Sequence, residues 1–166
     1  MTAEPQGSNP EDSHHKSHGR VPKRPLMQPV AVVFGAVFLV VGIAGFIPGI
    51  TTDYDTLKFA GHDSDAKLLG VFQVSVLHNI VHLLFGVAGL LLAPTWNNAR
   101  RYLIGGGLVY AVLWIYGMAI DHGSEENFVP VNNADDWLHF GLALAMLLAG
   151  LVLSRERRDI GSDFAG

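Results

Sequence analysis

The sequence predicts an all-α fold: an integral membrane four-helix transmembrane bundle with both termini cytoplasmic. Three observations carry this expectation. Four apolar runs are separated by polar loops. The chain is 49% hydrophobic and only 16% charged, whereas an ordinary soluble domain has about 25% charged residues. The basic residues also segregate: Lys16, Arg20, Lys23, Arg24, Arg100, Arg101, Arg155, Arg157 and Arg158 all fall on one side of a four-crossing arrangement. Lys58 and Lys67 fall on the other, with the acidic loops. An excess of Lys and Arg marks the cytoplasmic face, which puts the two longer loops outside.

Residues 1–27 carry Pro5, Pro10, Pro22 and Pro25, scattered charge and few large apolar side chains. Such a segment buries too little apolar surface to offset its ordering entropy, so a disordered cytoplasmic tail is expected. His14, His15 and His18 within it read as part of a solvated tail rather than a metal site. No small-residue cleavage site follows the first apolar run, which argues against a removable secretory signal. Without cysteine, disulfides and thiolate metal sites are excluded.

The membrane domain is expected over 28–154. Its first span, about 29–47, places Ala31, Gly35, Gly42 and Gly49 near one side, a flat face for another helix. Pro48 ends it. Residues 51–67 form an acidic loop, with a short extended piece expected near Tyr54–Phe59. The second span, about 68–93, is apolar and long enough to cross a bilayer, yet carries His78, Asn79 and His82 near its middle. Residues 97–102 read as a tight connection to a third span at about 102–120, which is rich in glycine. A second acidic loop precedes the fourth span, about 136–153, and residues 155–166 form a cytoplasmic tail.

Polar residues are costly inside a bilayer and usually face protein or water. On a helical wheel Ser75, His78, His82, Gly86 and Gly89 share one face, with Asn79 at its edge. Tyr110, Trp114, Gly117 and Asp121 align in the third span, and Asp135, His139, Met146 and Gly150 in the fourth. Asp135 can meet His139 as an i, i+4 pair. These stripes suggest a hydrated pocket open to the outside, built from Ser75, His78, Asn79, His82, Asp121, Asn133, Asp135 and His139. It would suit a proton relay, a metal or a small polar ligand. Haem or metal ligation is a second reading, since two imidazoles in H-x-x-x-H share a helix face. HNIVH lacks the glutamate of the metalloprotease motif, and only His78 and His139 come to similar depth. The third reading is packing, with the histidines bonded across helix interfaces.

Nothing marks an enzyme: there is no nucleophile–base–acid arrangement and no carboxylate pair within a span. The Gly105–Gly107 run has no preceding strand and no following Lys-Ser/Thr, so it is not a phosphate loop. No basic aromatic surface points to nucleic acid. The expected partners are the lipid bilayer and a membrane-protein partner or second copy met through the glycine faces.

The segments LLGVFQVSVLHNIVHLLFGVAGL, ARRY and VNNADDWLHFGLALAML resemble the four-span membrane family called domain of unknown function 4383. His78, Asn79, Val81, His82, Leu83, Gly86, Gly89 and Leu90 carry the resemblance, with Asn133, Ala134, Asp135, Leu138 and His139. It extends over about Val30 to Leu153. The resemblance implies a bacterial integral membrane protein, hence the plasma membrane, and supplies no activity. The expected role is therefore a structural or accessory membrane component. The alternative is a redox, transport or proton-handling protein using the polar pocket.

Overall fold

The structure, a computed structural model, describes residues 26–162, with side chains through Arg155. The proposed N-terminal tail, with His14, His15 and His18, lies outside the described residues apart from its last two positions. Four helices dominate: α1 (Met27–Ala44), α2 (Val76–Leu92), α3 (Trp96–Ala119) and α4 (Asn133–Ser162). Three two-residue strands, β1 (Thr51–Thr52), β2 (Lys67–Leu68) and β3 (Phe72–Gln73), pair antiparallel in that order. The fold is mostly helical, and the small sheet is the part an all-α expectation did not contain.

α1, α3 and the Asn133–Arg155 portion of α4 are each long and apolar enough to cross a membrane. α2 is shorter, with 17 residues. At about 1.5 Å per residue it spans roughly 26 Å, against about 30 Å of hydrocarbon. Its length corrects the expected 68–93 helix. Residues 67–73 turn back on themselves as β2 and β3, and the helix starts only after Ser75, whose hydroxyl accepts from the His78 amide at 3.1 Å. A Ser oxygen at this position satisfies an amide the helix itself cannot.

The β2–β3 turn explains the break. Leu69 and Gly70 both have positive φ, 55° and 72°, and the Val71 amide closes the turn on the Leu68 carbonyl at 3.1 Å. Three residues, Leu69 to Val71, thus lie between the paired Leu68 and Phe72, and two of them take the left-handed φ that tight turns need. Gly70 takes it freely; for Leu69 a left-handed backbone costs about 1–2 kcal/mol.

Two further boundaries differ. Residues 97–102, expected as a connection, are helical from Trp96. Thr95 caps this helix, its hydroxyl accepting from the Asn98 amide at 3.4 Å. α4 runs on to Ser162, past the expected end near 153.

The helices pair as two hairpins, α1 with α2 and α3 with α4. Glycine makes both contacts close. A Cβ on Gly35 would lie 3.0 Å from the Gly86 carbonyl oxygen and the Leu90 amide. One on Gly107 would meet Leu147 at 2.7 Å. Where lipid competes equally for apolar side chains, such close backbone approach supplies the dispersion contacts that hold helices together. Phe38, Tyr102, Leu103, Tyr110 and Met146 fill the space between hairpins.

The two long loops lie together at one end of the bundle. The Gly61 amide donates to the Phe128 carbonyl at 2.9 Å, and Asn132 Nδ2 to the Val71 carbonyl at 2.9 Å. At the other end Gln28 Nε2 donates to the Pro94 carbonyl at 2.6 Å, and Arg100 Nε to Ser154 Oγ at 2.7 Å. The start of α1, the α2–α3 turn and residue 154 therefore share one end. Outward, every helix exposes large apolar side chains: Val33 and Val40, Leu84 and Leu91, Val112 and Ile115, Leu144 and Leu148. So much contiguous apolar surface is a liability in water and suits a bilayer.

Candidate functional site

The most concentrated polar feature is a buried cluster in the loop-proximal half of the bundle. α2 supplies His78 and His82, one turn apart on its buried face. α3 supplies Tyr110, and α4 supplies His139. All four side chains are under 10% exposed.

Nε2 of His78 stands 3.2 Å from Nε2 of His82, so one ring donates and the other accepts. The Tyr110 hydroxyl lies 3.4 Å from the same His82 nitrogen. His139 closes the group, its ring centroid 5.4 Å from that of Tyr110 and 6.4 Å from that of His78. Below, Phe38 stacks on Tyr110 with centroids 5.3 Å apart and an interplanar angle of 8°. His78 also meets the backbone at Pro130, whereas the Nδ1 atoms of His82 and His139 make no hydrogen bond with the protein. Unmatched buried nitrogens are costly. Two stand in this one cluster.

The other expected pocket residues divide by role. Ser75 is spent on the α2 cap. Asn79 is buried beside Gly45, where an added Cβ would fall on its amide. Asp135 does not pair with His139. Its Oδ2 accepts from the Gln73 amide at 2.9 Å and the Asn132 amide at 3.0 Å, and Asn132 Oδ1 in turn accepts from the Ala134 amide at 2.8 Å and the Asp135 amide at 3.1 Å. This reciprocal arrangement is a capping box, and the Gln73 bond ties it to β3. Asp121 and Asn133 are exposed and stand apart; the Asp121 carboxylate accepts from the Gly123 amide in a local turn.

The end of the bundle nearest the cluster is covered by Asn127, Gln73 and Ser64, which sequence reasoning passed over, and by Asp136 and His122. Asn127 is fully buried and staples its own loop. Its Nδ2 donates to the carbonyls of His122 at 2.9 Å and Val131 at 3.0 Å, and its Oδ1 accepts from the Val131 amide at 3.0 Å. Gln73 and Ser64 are buried in the first loop, where Gln73 Nε2 donates to the Ser64 carbonyl at 2.8 Å and Ser64 Oγ to the Val74 carbonyl at 2.6 Å. Asp136 turns toward α3, packing on Gly117, and meets His122 Nε2 at 3.1 Å. The cluster thus sits beneath a bonded cap. Only the Asn132-x-x-Asp135 spacing signalled any of this in advance.

Among the described residues no group of three or more His, Cys, Asp or Glu side chains converges as metal ligands. His78 and His82 turn their Nε2 atoms to each other. Chemically the arrangement can share and relay protons among neutral imidazoles and a phenol.

The family model described as Domain of unknown function (DUF4383) matches residues 28–152. No curated protein and no solved structure matches the chain.

Proposed function

The chain belongs to the domain of unknown function 4383 family, and from that premise we propose that it is a four-crossing protein of the bacterial plasma membrane. Both chain ends face the cytoplasm in this reading, and the protein serves as a structural or accessory component. The supporting observation is how its polar groups are used. Ser75 and Asp135 cap helices, Asn79 and Asp136 pack against glycines, and Gln73 and Asn127 staple the loops. Little polar surface remains to bind a solute, while all four helices offer apolar faces to lipid. The basic residues Arg100 and Arg101, at the end opposite the long loops, favour that end as cytoplasmic.

One observation favours a second reading, proton handling. The His78–His82–Tyr110 contacts form a continuous chain, and the Nδ1 atoms of His82 and His139 are free for a further partner. Purified protein reconstituted in vesicles with an imposed pH gradient separates the two. Collapse of the gradient faster than in empty vesicles, abolished by His78→Leu with His82→Leu, establishes proton handling. An unchanged gradient leaves the accessory role.

A further inference from the structure

We propose that the loop cap is seated in the headgroup region of the bilayer, held there by an apolar rim of Ile47, Ile50, Leu69, Val71, Phe59 and Phe128, with phospholipid as its partner. The inference rests on the membrane reading above and adds that the cap itself is a lipid-contacting element.

The rim is exposed: Leu69 68%, Phe59 65%, Phe128 58% and Val71 49%. It forms two groups. The Leu69 amide donates to the Ile50 carbonyl at 2.8 Å, which joins the β2–β3 turn to the chain leaving α1. The Gly61 amide donates to the Phe128 carbonyl at 2.9 Å, which brings the Phe59 segment to the loop leaving α3. The helices leading into these loops also expose large apolar side chains, Val40 and Ile43 on α1 and Ile115 and Met118 on α3. All four helices are apolar outward, so the phase that surrounds the bundle also reaches the rim at their loop-side ends.

Leu69 is the most telling member. Its turn position favours Asn, Asp or Gly, which enter the left-handed region readily. Leucine there carries backbone strain and, in water, an exposed apolar side chain as well. Both features oppose it unless the side chain meets an apolar environment, and an interfacial lipid layer supplies one. α2 is also the shortest helix, and a cap drawn toward the bilayer covers its loop-side end.

The absence of cysteine gives a direct test. Leu69→Cys, Phe59→Cys and Phe128→Cys are each spin-labelled in the full-length protein, reconstituted in phosphatidylethanolamine–phosphatidylglycerol vesicles. Collision with oxygen, which concentrates in lipid, is compared with collision with a water-soluble nickel chelate. Asp63→Cys serves as the aqueous reference and Leu84→Cys as the mid-helix reference. The proposal expects the rim labels to favour oxygen over nickel relative to position 63, and less so than position 84. Rim labels matching position 63 overturn it. Labels shielded from both reagents also overturn it, showing a second copy or another protein on the rim. An aqueous signal at position 84 would instead sink the membrane reading itself.

Discussion

The Nε2 atoms of His78 and His82, one helical turn apart, face each other at 3.2 Å inside the bundle. Two protonated rings cannot share that geometry, so the pair contains at least one neutral imidazole, and each ring depends on the other. Removing one partner strands a buried polar atom, which costs about 1–3 kcal/mol; replacing both with apolar groups of similar size costs far less than the sum. His78→Leu should therefore destabilise the protein in detergent by about 1–3 kcal/mol, and adding His82→Leu should cost clearly less than its own single effect. Reversible unfolding of the four proteins in a double-mutant cycle measures this. Additive losses would deny the coupling.

Glycines that look alike in the sequence should respond oppositely. A Cβ at Gly45 would fall on the Asn79 amide, and one at Gly117 on the Asp136 carboxylate. Gly105 and Gly141 have nothing within 4 Å. Alanine at 105 or 141 should be neutral or stabilising by up to about 1 kcal/mol from helix propensity. Alanine at 45 or 117 should lower the midpoint of thermal unfolding. Equal effects at all four positions would contradict the packing described.

Asp135 should act as a structural tie. Asp135→Ala removes the acceptor for both the Asn132 and Gln73 amides, a loss of about 1–2 kcal/mol for a capping residue. Amide exchange should accelerate at Gln73, over 60 residues away in the chain, while the α1–α2 glycine contacts stay protected. Unchanged exchange at Gln73 would show that the β3–α4 bond contributes nothing.

The periodic features were the legible ones. Gly35, Gly86 and Gly89 recur at helical spacing, as do His78 and His82, and both sets lie on buried faces. The stretch from Leu68 to Val74 misled, because an apolar run has no period of its own to separate strand from helix. Gly70 was the available warning. Phe38 was hidden among other apolar residues of the first run, although it stacks on Tyr110 at the centre of the core. The Asn132–Asp135 capping box was readable from spacing, but the obvious i, i+4 pairing of Asp135 with His139 competed with it and did not form. The long-range bonds of Gln73 and Asn127 leave no local pattern. Each joins segments whose proximity only the folded chain creates.

The most direct test of the whole account concerns sidedness, since the lipid-facing surfaces, the cap and the buried cluster all presuppose four crossings. Asp55→Cys and Glu125→Cys place one thiol in each long loop, and Asn97→Cys one in the exposed first turn of α3 beside the α2–α3 turn, in a chain that has none of its own. In intact cells a membrane-impermeant maleimide should label positions 55 and 125, and position 97 only after permeabilisation. Labelling of 55 and 125 from opposite sides, or of 97 from outside, would contradict it.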